Sequence, residues 1–354
     1  MAVTEPQVLL ALSSVQEPEL GGNIVARKMV KDIAVRPDGS VSFTIELTTP
    51  ACPQKDKLEY DARAAVMNLP GVTNVEVKFD AKVIARGPRG GENLIPGVKN
   101  TVAIASGKGG VGKTTIAVNT AVALAQAGAA VGLLDADITG PNVPLMLGAR
   151  QPVTQRGGKI VPVESHGVRM MSLAFFSNEQ TPVIWRGPLI HGAIRQFLTD
   201  VDWGALDYLV IDLPPGTSDA QLSISQLISP TGAVIVSTPQ DVSLMDATRS
   251  LTMFKQVNVP LLGMIENMSF FVCPHCGERT DIFGHGGAEA AAERLGVPFL
   301  GAIPLDPAIR VGGDTGTPIL VSHPGSATAV ALREAAQRIA GRVSQFVVAS
   351  QQFR

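Results

Sequence analysis

From Lys99 onward, short apolar runs alternate with segments of helical spacing. Val102–Ala105, Val131–Asp135, Tyr208–Asp212, Ala233–Thr238, Pro260–Asn267 and Pro298–Ile303 are almost continuously apolar. Strands of that kind are buried on both faces, and the helical segments between them serve as crossovers. The pattern therefore predicts an α/β fold, a doubly wound parallel sheet with helices on both faces. Before Lys99 the texture differs. Glu5–Ser14 is a short helix candidate, and Met29–Arg36 and Val41–Leu47 are strand-like runs flanking the turn signal Pro37-Asp38-Gly39. Lys55–Leu69 has helical spacing and Val72–Phe79 alternates as a strand, so residues 1–85 read as a small α+β domain. Residues 86–98 collect Gly87, Pro88, Gly90, Gly91, Pro96 and Gly97, a linker composition. The larger domain is expected over 99–354, closing with a helix from Ala327 to Arg354.

A length of 354 residues agrees with two domains. Aromatic residues make up only 5%, so the core is built mainly from Ala, Val, Ile and Leu. A net charge of -2 offers no basic field, which argues for no nucleic acid and no membrane among the partners. The longest apolar region, Ile116–Leu134, contains Asn119, Thr120 and Gln126, and a buried helix running into a strand explains it better than a membrane span. Met1–Val15 carries Glu5 and no Lys or Arg, unlike a secretory signal. Three cysteines, Cys52, Cys273 and Cys276, make no disulfide framework and suit a reducing, cytoplasmic setting.

The strongest chemical signal is Gly107-Lys108-Gly109-Gly110-Val111-Gly112-Lys113-Thr114, which matches G-x-x-x-x-G-K-[ST] between a strand-like and a helix-like run. Its glycines let main-chain N–H groups point at phosphate, and the following helix adds its positive end. Lys113 is placed to reach the β- and γ-phosphates, and the Thr114 hydroxyl to bind Mg²⁺. Thr115 follows as the next loop contact. Asp135-Ala136-Asp137 and Asp212-Leu213-Pro214-Pro215-Gly216-Thr217 both begin at strand ends, where a carboxylate can position water or hold a Mg²⁺-bound water. Either aspartate alone is also a common helix cap. No Asn-Lys-x-Asp guanine motif occurs, so ATP is the expected nucleotide.

Cys273-Pro274-His275-Cys276-Gly277 is the second signal. Two thiolates at this spacing reach one metal centre, and thiolate ligation suits iron–sulfur and zinc alike. Zinc would need recruits such as His275 or His285, and a redox disulfide is a further option. Cys52 lies in the other domain, so a four-cysteine site requires a second chain related by two-fold symmetry.

The run Gly107–Thr115 resembles the deviant Walker A loop of the MinD, ParA, ArsA and nitrogenase-iron-protein superfamily. That resemblance implies a P-loop NTPase homodimer sandwiching ATP, with Lys108 crossing to the partner's nucleotide. It also implies that Asp137 orients the attacking water, Asp212 belongs to Walker B, and Asn267 contacts adenine, although Asn267 also suits a structural turn. The ordered motifs GKGGVGKTT, DADITGPN, DLPPGTSD and ENMSFFVCPHCG, spanning about residues 95–340, resemble Mrp/ApbC-type iron–sulfur cluster carrier ATPases. The likeness implies ATP hydrolysis coupled to carriage of a [4Fe–4S] cluster bridged by Cys273 and Cys276 of two subunits. The cluster would be received from assembly machinery and handed to apo iron–sulfur proteins. Ser218 departs from the family pattern, which has Gly there. Thr48–Pro53 resembles the MIP18-type domain, in which Cys52 is either a reactive thiol or a plain loop cysteine. The alternatives are a MinD/ParA-type positioning ATPase with a structural zinc or redox CxxC, and a metabolic synthetase. The first lacks a strongly basic C-terminal helix and the second leaves the cysteine pair unexplained.

Overall fold

The computed structural model describes residues 3–87, 93–137, 140–176, 187–217 and 219–352. Contacts gather the chain into two compact units, Met1–Ile84 with Ala340–Arg354, and Ala85–Ile339.

In the first unit, helix α1 (Glu5–Leu12) opens with a capping box, the Thr4 N–H donating to Gln7 Oε1 at 3.0 Å. Strands β1 (Val30–Val35) and β2 (Ser40–Leu47) pair antiparallel across the Pro37-Asp38-Gly39 turn. There the Ser40 N–H donates to the Asp38 carboxylate at 2.9 Å. Helix α2 (Lys55–Met67) crosses over to β3 (Asn74–Ala81), which runs parallel to β2. Val41, Phe43, Ile45 and Leu47 alternate toward the core, where they meet Leu58, Ala62 and Val66, spaced along one face of α2. The unit is the α+β arrangement that the hydrophobic pattern implies.

The second unit begins with β4 (Val98–Ser106), α3 (Lys113–Gln126), β5 (Val131–Asp135) and α4 (Val143–Met146). Four short strands follow: β6 (Thr154–Arg156), β7 (Lys159–Val161), β8 (Val163–Ser165) and β9 (Val168–Ser172). Then come α5 (Gly187–Thr199), β10 (Leu206–Asp212), α6 (Asp219–Ile228), β11 (Gly232–Ser237) and α7 (Asp241–Gln256). The unit continues with β12 (Leu261–Val272), β13 (Arg279–Thr280), α8 (Gly287–Leu295), β14 (Phe299–Leu305), α9 (Pro307–Thr315) and α10 (Ile319–Ser322). Helix α11 (Ala327–Gln352) closes the chain, and its last turns, from Ala340, group with the first unit.

The main sheet has the order β13-β12-β11-β4-β10-β5-β9-β8, with β14 also on β12. Only β8 and β13 run antiparallel to their neighbours. The six apolar runs became β4, β5, β10, β11, β12 and β14. The stretch from Ile116 resolved into α3 and β5, and among the described residues no helix is long and apolar enough to cross a membrane. Strands β10, β5 and β9 align so that Asp212 stands beside Asp135, and Asp135 beside Ser172, at their carboxyl ends. In open α/β sheets that edge is where ligands bind.

Candidate functional site

Between β4 and α3 the chain turns through Gly107–Gly112, with Gly112 at φ +82° in the left-handed region. A Cβ on Gly112 would stand 2.1 Å from Asn267 Nδ2, and one on Gly107 would stand 2.1 Å from the Asp246 carbonyl carbon of α7. Glycine is needed at both positions because the loop is pressed between α7 and β12. The Ser106 hydroxyl donates to the Lys108 carbonyl at 2.9 Å, and the Gly216 N–H donates to the Ser106 carbonyl at 2.9 Å. The loop after β10 is thereby tied to the root of the glycine loop.

Lys113 is buried at the start of α3. Its Nζ lies 2.7 Å from Asp212 Oδ1 and 3.4 Å from Asp137 Oδ2. The Thr114 hydroxyl donates to Asp212 Oδ2 at 2.7 Å. Asp135 sits deeper, accepting from the Ser172 hydroxyl at 2.8 Å and the Val143 N–H at 3.3 Å. Burial raises the Asp212 carboxyl above its ordinary range, opposed chiefly by the Lys113 charge. Burial and the neighbouring Asp212 push Asp135 up to about 8. Three carboxyl groups and a hydroxyl around one ammonium form a hard-oxygen site, which is donor chemistry that suits Mg²⁺. Lys108 is half-buried at the loop's start and makes no ion pair among the described residues.

A cavity of about 430 Å³ adjoins the loop, lined in part by Thr115, Asn142, Met146, Asn267, Leu305 and Asp306. Asn267 is buried there, its Nδ2 donating to the Val111 carbonyl at 2.9 Å. A second cavity, about 510 Å³, opens around Arg86, Val98 and Lys99 at the amino-terminal start of β4 and contains no phosphate-loop residue.

The cysteine pair sits in the turn between β12 and β13, where Phe271 pairs with Thr280 and Val272 with Arg279. The Cys273 N–H donates to the Glu278 carbonyl and the Gly277 N–H to the Cys273 carbonyl, each at 2.9 Å. Cys276 is exposed and Cys273 half-buried. The backbone N–H groups of Cys276 and His275, with the Cys276 thiol, draw the Cys273 thiol below its ordinary range. Among the described residues no group of three or more His, Cys, Asp or Glu is placed to hold a metal ion. A zinc site completed within one chain by His275 or His285 therefore finds no such cluster. Cys52 is buried in the core of the first unit, and burial pushes its thiol up to about 12. This rules against a reactive thiolate at Cys52.

Ile138, Thr139 and Ser218 of the two aspartate segments lie outside the described residues. The sequence pattern included Asp135 in a strand-end doublet without a role of its own, and it missed Ser172 as a member of the site. The doublet was the available signal for Asp135, while nothing local marked Ser172.

Residues 97–340 match the NUBPL iron-transfer P-loop NTPase family of the ParA group. Residues 5–78 match the iron-sulfur cluster assembly protein family. The iron-sulfur cluster carrier protein of Synechocystis sp. is 52% identical over 348 residues, covering 97% of this chain and 98% of its own length. Among solved structures, a nucleotide-binding protein from Archaeoglobus fulgidus in complex with ADP is 42% identical, with a TM-score of 0.57 over 62% of this chain and 88% of that one. The cell division ATPase MinD of Pyrococcus furiosus is 26% identical, with a TM-score of 0.53 over 68% of this chain and 98% of its own.

Proposed function

The chain belongs to the NUBPL iron-transfer P-loop NTPase family, and from that membership we propose that it is an ATPase that carries iron–sulfur clusters to apo-proteins, two copies holding one cluster between them. The observation that carries the shared-cluster reading is the cysteine turn, with two thiols and no third ligand beside them among the described residues. Four thiolates are the usual complement of a [4Fe–4S] cluster, and a two-fold axis supplies the missing pair. The cluster is cargo, received from assembly machinery and passed to acceptor proteins. The first unit, of the iron-sulfur assembly type, supports that placement.

On the nucleotide side, the N–H groups of Gly109–Gly112 cradle phosphate and Lys113 neutralises its charge, joined by Lys108 of the partner subunit. Thr114 and Asp212 are the residues that would hold Mg²⁺, which supplies further neutralisation of the β- and γ-phosphates. As Lys113 turns to phosphate, Asp137, 3.4 Å from its Nζ, stands beside the γ-phosphate position and orients water there. Thr115, Asn267 and the adjoining cavity take the remainder of the nucleotide. Sparse unpaired cysteines support a cytosolic setting.

Anaerobic reconstitution with iron and sulfide counted per chain, beside the dimer fraction, tests the reading. Half a [4Fe–4S] cluster per chain, lost in Cys276→Ala, is the expected result. Zinc with no bound iron would refute it. Transfer to an apo-acceptor at one rate with ATP, without ATP and in Lys113→Ala would refute the coupling.

A further inference from the structure

Strand β12 touches both ends of this machinery. Its Asn267 holds the Val111 carbonyl of the phosphate loop, and its last residue, Val272, precedes Cys273. Between those points the strand is irregular. Pairing with β14 steps from Asn267 opposite Ile303 to Phe271 opposite Leu305, so β12 bulges there. Within the bulge Met268 adopts φ +55°, a left-handed conformation that is unfavourable for a residue with a side chain.

A buried network surrounds the bulge. Ser269 Oγ lies 2.5 Å from Glu266 Oε1 and 2.9 Å from His285 Nδ1. The same Glu266 carboxylate accepts the Gly286 N–H at 3.0 Å and the Ala288 N–H at 2.8 Å, in the opening turn of α8. A carboxylate only accepts, so the Ser269 hydroxyl donates to Glu266 and the His285 N–H donates to Ser269. Glu266 and Ser269 are fully buried, whereas His285 is exposed. A strained backbone persists where its surroundings over-determine it, and such strain clusters at switch regions and ligand sites. The bulge thus lies on the strand that joins the Val111 contact to the cysteine turn.

We propose that the Glu266–Ser269 staple is a positioning device that carries nucleotide state along β12 to the cysteine turn. Movement at the Val111–Asn267 contact shifts the Met268 bulge. The staple, anchored on α8, turns that shift into displacement of Cys273 and Cys276. The proposal rests on the phosphate loop being the nucleotide site.

The test uses the full-length, cluster-free protein. Iodoacetamide alkylation of Cys276 is timed by mass spectrometry with and without Mg-ATP, and the dimer fraction is measured alongside. The wild type is expected to change its alkylation rate by about fivefold, the lower range of an allosteric coupling. Ser269→Ala should remove most of that change while ATP hydrolysis continues, and Ser269→Thr should restore it. A merely structural loss would alter alkylation equally with and without ATP. Should Ser269→Ala fail to fold, Glu266→Gln replaces one acceptor oxygen by an amide and serves the same purpose. A wild-type rate indifferent to ATP overturns the proposal, as does a variant that keeps the full change at equal dimer fraction. No cluster enters this assay, so failure of iron binding on reconstitution is a separate outcome, attached to the carrier reading alone.

Discussion

Replacing Lys113 by Met removes an ammonium and keeps the length of the side chain. Asp212 then loses a partner at 2.7 Å and Asp137 one at 3.4 Å, with buried Asp135 close by. Removing one member of a buried ion pair costs about 3–5 kcal/mol. The pH dependence makes the prediction specific. Asp135 is pushed up to about 8 and Asp212 is raised as well, both from an ordinary 3.8. A carboxyl raised in the folded state keeps its proton where the unfolded chain has released it. Its contribution is fully present below the ordinary value and is lost as pH rises through the raised one. Removing Lys113 withdraws the charge that chiefly opposes the rise of Asp212, so the Asp212 carboxyl is raised further in the variant. A proton retained by the folded variant and not by the wild type is worth about 1.4 kcal/mol for each pH unit over which the two differ. Urea unfolding followed by tryptophan fluorescence measures it, because Trp203 is buried in the core of the second unit. The variant should be less stable at pH 6 and at pH 8, with the gap wider at pH 8. A gap that is constant, or narrower at pH 8, would refute the account of this charge cluster.

Gly112→Ala should weaken ATP binding by at least about tenfold in isothermal titration, since left-handed strain of about 1–2 kcal/mol adds to the clash with Asn267. Unchanged affinity would show that the loop moves freely there. Iodoacetamide at pH 7.5 should label Cys273, whose thiol lies below its ordinary range, and leave Cys52, pushed up to about 12, unmodified in the folded protein. Comparable labelling of the two would contradict the burial of Cys52. In the first unit, burial and Glu17 push Glu19 up to about 7 against the opposing charge of Arg342. Its stabilising contribution is present below 4.5 and is lost as pH rises through 7. Glu19→Gln should therefore leave stability unchanged at pH 5 and raise it at pH 8 by about 1 kcal/mol, a value reduced for partial exposure. Hydrogen exchange of Val343–Val347 in α11 reads this out, and an equal effect at both pH values would count against it.

The strands of the main sheet were legible because burial on both faces forces unbroken apolar runs. Strands β6 to β9 were not, being three to five residues long and largely without alternation. The end of β12 was also missed. Its apolar run was read as stopping at Asn267, yet pairing with β14 and β13 continues it to Val272 past the Met268 bulge. The phosphate loop is contiguous in sequence, and so was read whole. What escaped are contacts between distant segments. Ser172 reaches Asp135, Gly107 packs against the Asp246 backbone, and Ser269 joins Glu266 to His285. No local pattern marks a residue whose partner is chosen by sheet order. Nor was it legible that the Asn267 amide nitrogen donates to the Val111 carbonyl of the phosphate loop.

Strand β11 makes its last pair with β12 at Ser237 and Glu266, while β12 runs on to Val272. With the bulge setting four residues of β12 against two of β14, and about 3.3 Å per strand step, this overhang reaches about 13 Å beyond the pairing. From Val272 to His285 the chain is exposed apart from a half-buried Cys273. The apolar core closes without this stretch, so folding places few demands on what it contains. The cysteine turn is thus a cassette mounted outside the core: from Val272 to Phe283 its residues can be exchanged with little cost to the packing that holds the phosphate loop.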